Sequence, residues 1–195
     1  MIPPPIPVLK VKTPSDWVKT ALSQFDSFLL DHASCERKAS AVGMSFVVRY
    51  PDRPQIMEPM IHFAREELEH FHQVFRLIAA RGLLLPPDEE DPYVTLLMKA
   101  VRFGREERFL DRLLTSSVIE ARGFERLQMV SNRLEERALK NFYARLSRAE
   151  RQHRDLFLDM AYQFFNREEV ESRLQELLIL EAKAIQAVPY SHHLH

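Results

Sequence analysis

A carboxylate and an imidazole lie three residues apart inside an apolar helical pattern at Arg65-Glu66-Glu67-Leu68-Glu69-His70-Phe71. Met60, Ala64, Glu67, Phe71, Val74 and Ile78 succeed one another at intervals of four, three, four, three and four. On a helix that spacing is one stripe, so Glu67 falls on the buried face with His70 beside it. A buried carboxylate is costly unless it is paired or bound to a metal, and any fold for this chain has to answer that cost.

The arrangement recurs at Ala149-Glu150-Arg151-Gln152-His153, inside a second stripe of Leu139, Phe142, Leu146, Ala149, His153, Leu156 and Met160. Upstream of each pair lies one more Glu on an inward face. Glu36 precedes Glu67 by 31 residues, and Glu120 precedes Glu150 by 30. A further Glu-x-x-His, Glu69 with His72, lies about 200° round the helix from Glu67 and His70 and reads as part of the solvated face. Composition gives isolated pairs of this kind by chance. It does not readily give two pairs in register with core stripes, each behind an inward Glu at matched distance. One Glu from each of two helices and Glu-x-x-His from each of two others is the ligand set of di-iron and di-manganese carboxylate bundles. The expected fold is all-α: a ferritin-like four-helix bundle with additional short helices and an extended Pro-rich N-terminal arm.

The length, 195 residues, suits one domain spanning 1–195 with a substantial core. Only four Gly stand among many Leu, Ala, Arg and Glu, which favours helix. A formal charge of −1 describes no general polyanion binder, so a nucleic-acid surface has to be a local patch. The single cysteine, Cys35, excludes an internal disulfide, a rubredoxin-type Cys-x-x-Cys pair and an iron–sulfur cluster held by this chain alone. No apolar run approaches a membrane span, and Met1-Ile2-Pro3-Pro4-Pro5-Ile6 lacks the basic start of a secretory signal, so a cytoplasmic protein is expected.

Along the chain, the Pro-rich opening through Lys12 reads as an extended arm. Thr13 is the expected N-cap of a helix from about Pro14 to Phe46, with Val18, Leu22, Phe25, Leu29, His32, Glu36, Ala39 and Gly43 inward. A second helix runs from about Gln55 to Arg81 and stops at Gly82. Leu83 to Asp91 has the length of a crossing connection. A short helix over about Pro92–Phe103 leads to a third long helix, about Glu106–Val130, with Ser131-Asn132 as the separator from a fourth over about Leu134–Phe165. A last amphipathic helix covers about Glu168–Gln186, ahead of a tail from Pro189 to His195.

Glu36, Glu67, His70, Glu120, Glu150 and His153 supply four negative charges for two divalent cations, a balance that leaves a reduced site neutral in a dry core and favours two iron ions over structural zinc. Glu67 and Glu150 are the expected bridges, with Glu36 and Glu120 terminal. Such a centre uses O2 as co-substrate. No Gly-rich dinucleotide fingerprint is present, so electrons come from an external reductase. These residues leave two classes open: an oxygen-using enzyme, and a ferritin- or rubrerythrin-like iron-binding or storage protein without an organic substrate.

Beyond the ligands, Thr13-Pro14…Trp17, Asp31-His32-Ala33…Cys35-Glu36…Lys38-Ala39, Arg65 to Phe71, Arg81-Gly82, Ile119-Glu120-Ala121-Arg122…Glu125-Arg126, Phe142-Tyr143 and Glu150…His153 resemble the bacterial tRNA 2-methylthio-N6-isopentenyladenosine hydroxylase family. The match spans nearly the whole chain; Gly123-Phe124, Ala149 and the His-rich tail depart from it. The resemblance implies a non-haem di-iron monooxygenase that hydroxylates the isopentenyl group of a hypermodified adenosine next to the anticodon, with the tRNA anticodon stem-loop as partner. Independent support is modest. Lys99–Arg154 holds 14 Lys or Arg against 8 Asp or Glu, with Arg102, Arg105, Arg108 and Arg112 forming one expected helical stripe and Arg145, Arg148 and Arg151 another. A monomer is favoured.

Lesser candidates surround the six. His32, one turn before Glu36, reads as its partner or a substrate contact, and equally as a satisfied core histidine. Cys35, Tyr143 and Tyr162 read as structure. Ser116 and Ser117 suit helix packing better than contact with a metal-bound species, and His192, His193 and His195 receive no role.

Overall fold

The computed structural model describes residues 9–188 and 191–195. Most of the expected Pro-rich arm lies outside them. Within them the chain forms seven α-helices, one short 3-10 turn and no strand: α1 (Ser15–Ser23), α2 (Phe25–Arg49), α3 (Met57–Ala80), α4 (Pro92–Met98), α5 (Arg105–Arg133), α6 (Arg137–Phe164) and α7 (Arg167–Ala187), with the turn at Pro54–Ile56. They group into two compact units, one of residues 19–89 with 191–194, the other of residues 9–18, 90–188 and 195.

In the first unit, α2 and α3 form an antiparallel hairpin. The single helix expected over Pro14–Phe46 is broken at Gln24, whose backbone (φ −118°, ψ 44°) leaves the helical region. Ser23 donates its hydroxyl to the Thr20 carbonyl at 2.9 Å, the local competition with backbone bonding that makes serine a poor interior helix residue. The inward stripe holds where it matters: Leu29, His32, Glu36 and Gly43 on α2, and Met60, Ala64, Glu67, Val74 and Ile78 on α3, are buried. Gly43 sets the closeness of the hairpin, because a Cβ there would meet Phe63 Cδ1 at 2.8 Å and the Met60 carbonyl at 3.1 Å. Ser40 then donates to the Ala64 carbonyl at 2.7 Å, one turn from Glu36 and one turn from Glu67. Gly82 ends the arm of the hairpin with φ 69°, the left-handed C-cap read from the sequence.

The second unit is built on the α5–α6 hairpin with α4 and α7 against it. α5 runs three residues past the expected Val130, because the Ser131 hydroxyl is occupied by the Lys140 carbonyl at 3.0 Å and no longer competes with its own backbone. α6 starts at Arg137 rather than Leu134, and α4 stops at Met98 rather than Phe103. Thr13 does not cap α1 through its side chain as expected. Its N–H and hydroxyl donate to Glu125 (3.1 and 2.6 Å), and the hydroxyl accepts from Arg122 at 2.9 Å. Arg122 itself is fully enclosed and donates to Glu181 on α7, to which Tyr93 on α4 also donates at 3.1 Å.

The expected stripe of Arg102, Arg105, Arg108 and Arg112 is not a helical stripe. Arg102 lies before α5 and turns back, its backbone N–H and guanidinium donating to the enclosed Asp111 at 2.8–3.0 Å, where Arg173 of α7 joins it. Burial works to raise the Asp111 carboxyl, but the hydrogen bonds from Arg102 and Arg173 outweigh it and hold the group below its usual range. A depressed carboxyl stabilises the fold above its ordinary value of about 3.9 and loses that contribution as pH falls through the folded value. Asp111→Asn is therefore expected to cost about 2 kcal/mol at pH 7 and to flatten the fall in stability below about pH 4, as read by urea unfolding across pH.

Candidate metal centre

Each hairpin carries three of the six expected ligands. In the first unit, Glu36 comes from α2, and Glu67 and His70 from successive turns of α3; Glu36 and Glu67 are 3% and 1% exposed. One ligand atom from each of the three lies within 4.8 Å of the others. His70 Nδ1 stands 3.7 Å from Glu36 Oε2 and 3.7 Å from Glu67 Oε2. His32, stacked on Phe28, places Nε2 2.6 Å from the other oxygen, Glu36 Oε1. The contact makes His32 the hydrogen-bond partner of Glu36 and satisfies it in the core.

The electrostatics of this triad fit a cation. Burial works to raise Glu36, yet hydrogen bonding with Glu67, His32 and His70 overrides it and holds the carboxyl well below its usual range. Burial likewise works to lower His70, but hydrogen bonds to Glu36 and Glu67 and their negative charge lift it to about 10. A proton on an imidazole between two carboxylates marks where positive charge is favoured, and oxygen and imidazole donors suit iron or manganese. The neighbouring pair that the sequence assigned to solvent is there: His72 and Glu69 are 51% and 59% exposed.

In the second unit, Glu120 on α5 and Glu150 and His153 on α6 are buried, again with one ligand atom each within 4.8 Å of the others. Two serine hydroxyls fix the register of this hairpin. Ser117, one turn before Glu120, donates to the Arg154 carbonyl at 2.9 Å, and Ser147, one turn before Glu150, donates to the Phe124 carbonyl at 3.3 Å. Ser117 is thereby committed to helix packing. Gly123 lies beside Glu150: a Cβ there would be in ordinary van der Waals contact with Glu150 Oε2 at 3.5 Å.

Sequence reasoning missed one neighbour of this triad. His195 Nε2 stands 3.6 Å from the same Gly123 Cβ position, with the ring stacked on the enclosed Tyr93 and Nδ1 3.5 Å from Asp91 Oδ2. A tail without periodicity carries no signal for such a placement. Cys35 donates to Asp31 at 3.8 Å and is half-buried, in keeping with packing.

The model of the tRNA-(MS[2]IO[6]A)-hydroxylase (MiaE) family matches residues 1–195. The chain belongs to this family. Among curated relatives of the MiaE family, the tRNA 2-(methylsulfanyl)-N(6)-isopentenyladenosine(37) hydroxylase of Pseudomonas putida is 31% identical over 90% of this chain and 85% of its own. The enzyme of the same description from Salmonella typhimurium is 31% identical over 67% of this chain and 48% of its own. A solved structure, a Synechococcus protein described as having aldehyde deformylating oxygenase activity, superposes with a TM-score of 0.90 at 34% identity, covering 95% of this chain and 94% of that one. The all-α, ferritin-like fold read from the sequence is the fold of this chain.

Proposed function

We propose that Glu36, Glu67, His70, Glu120, Glu150 and His153 together hold two iron ions, and that the protein hydroxylates the isopentenyl group of 2-methylthio-N6-isopentenyladenosine beside the anticodon of tRNA. The observation that carries this reading is the pair of buried Glu, Glu and His triads on two hairpins of a MiaE-family chain. In this reading the two units are halves of one domain, and Glu36, Glu67 and His70 from one hairpin with Glu120, Glu150 and His153 from the other would hold the ions. Two iron ions held there would supply O2 activation for a monooxygenation in which the substrate carbon gains one oxygen atom and the other becomes water with two electrons from an external reductase and two protons. The chain's own contribution is to fix the ligands and keep the site dry. His32 orients Glu36, and Ser40, Ser117 and Ser147 lock the helix registers on which a sub-ångström ligand geometry depends. No described helix is long and apolar enough to cross a membrane. A monomer working in the cytoplasm, where tRNA is modified, accompanies this reading.

The test is turnover of iron-loaded protein with isopentenylated tRNA, a chemical reductant and 18O2. A hydroxylated nucleoside carrying one labelled oxygen is expected. Iron uptake well beyond two ions per chain with no such product would leave a storage protein in its place. Deformylation of an aldehyde alone would instead assign this chain the activity described for the Synechococcus protein.

A further inference from the structure

We propose that the outward face of α6 between Arg137 and Arg151 is the surface on which an RNA backbone is seated, a proposal that rests on the tRNA reading above. Arg137–Arg154 holds six cations and one acid, and that acid is the buried Glu150. Arg137, Lys140, Arg145, Arg148 and Arg151 are all exposed. At 100° per residue, Arg137 and Arg148 share one line three turns apart, with Arg145 and Arg151 about 60° to either side, and the set spans about 21 Å. The run is bounded by acids, Glu135 and Glu136 before it and Asp155 and Asp159 after it.

The chemistry is that of a phosphodiester ladder. Guanidinium groups bind phosphate through paired N–H donors and hold a register without reading sequence. Nothing within the fold uses these groups: among the described residues no acidic side chain pairs with Arg137, Arg148 or Arg151, and Arg145 only overlies its neighbour Phe142 at 5.8 Å. The other basic run behaves differently. Arg102 is committed to Asp111, and Arg108 overlies Phe103 and donates to the Arg102 carbonyl, so those charges serve the fold at the start of α5. The opposite, buried face of α6 presents Glu150 and His153. One helix thus carries backbone seating outside and ligands inside, a division that lets an RNA be held by its phosphates while one base is turned out of the stack.

The experiment compares the parent protein with the triple variant R145Q/R148Q/R151Q, and with R37Q/R81Q/R167Q as a charge-matched control. The control arginines are exposed but already paired with Asp88, Asp26 and Glu171. Binding of an isopentenylated anticodon stem-loop is measured against salt, alongside iron content and turnover of the free nucleoside. Loss of three phosphate contacts is expected to weaken stem-loop binding by at least about tenfold at low salt and to reduce the slope of log affinity against log salt by about 2 to 3. Iron content, free-nucleoside turnover and the control are expected to stay at parent values. Unchanged stem-loop affinity and slope in the triple variant, or an equal loss in the control, overturns the seating role while leaving the hydroxylase reading intact. So does unchanged RNA affinity with turnover lost only when an acidic ferredoxin replaces dithionite, which would assign the strip to a protein donor. A parent protein that neither binds nor hydroxylates the stem-loop overturns both.

Discussion

Glu120→Ala is expected to remove dinuclear iron binding and hydroxylation while leaving the metal-free protein within about 1 kcal/mol of the parent's stability. Glu120 and Glu150 are buried with ligand atoms within 4.8 Å of one another and of His153. Two carboxylates this close repel each other, so without metal the second one adds little to the stability of the fold. Truncation relieves that repulsion and leaves a small cavity, two effects of opposite sign and similar size. With metal the balance reverses, because a negative charge and a ligand are lost at once. Iron per chain should fall from two to one or fewer, and turnover by at least about a thousandfold, the scale seen when a member of a cooperating catalytic set is removed. If Glu120 were a structural ion-pair member, the same variant would lose about 3–5 kcal/mol and keep its iron. Metal analysis and chemical unfolding of the metal-free protein separate the two outcomes.

What the sequence reveals about this molecule follows from where its information is periodic. The Glu-x-x-His pairs were legible because each fell on a stripe that continued for several turns either side. The solvated Glu69–His72 pair was legible as an impostor for the same reason. Helix ends were less so. Ser131 looks like a terminator until its hydroxyl finds the Lys140 carbonyl, and Ser23 looks like interior helix although the chain leaves the helical region at Gln24 just after it. The first outcome depends on a partner across the hairpin that local propensity does not encode, the second on a hydroxyl bond three residues back that only weakly opposes a helix. Arg102 shows the limit most clearly. Its spacing to Arg105 and Arg108 is helical, but it precedes the helix and is drawn to Asp111, whose burial the sequence gives no reason to expect. Glu181 was within reach, since it lies in line with Leu174, Leu177, Leu178 and Ala184, all buried on α7, and an acid on such a line calls for a partner.

That partner is Arg122, and Glu181→Ala is expected to be the most destabilising of the substitutions outside the six proposed ligands. Both side chains are fully enclosed. Arg122 Nε and Nη2 donate to Glu181 Oε1 at 3.0 and 2.5 Å, Nη2 also to the Val11 carbonyl at 2.8 Å, and Nη1 to Thr13 Oγ1 at 2.9 Å. One guanidinium therefore ties α7 and residues 11–13 to α5 two residues beyond Glu120. Burial disfavours the charge on Arg122, but the nearby Tyr93, Glu181 and Glu125 outweigh it and raise the group above its ordinary value; a guanidinium is too basic to lose its proton when one carboxylate is removed. With Glu181 gone the guanidinium keeps only the partly exposed Glu125 as its ion-pair partner, and breaking a buried pair in this way costs about 3–5 kcal/mol, a large part of a total stability of about 5–15 kcal/mol. For a chain of this size the thermal midpoint should fall by about 10 °C. Arg122→Met together with Glu181→Leu is expected to cost less than the two single changes added, because the double variant leaves no buried charge behind. Iron binding should survive in the single variants below their midpoints, since neither residue belongs to a triad. Urea unfolding of the four proteins in the cycle reads the coupling, and a coupling below about 1 kcal/mol would mean that the pair holds these elements no more firmly than a surface ion pair does.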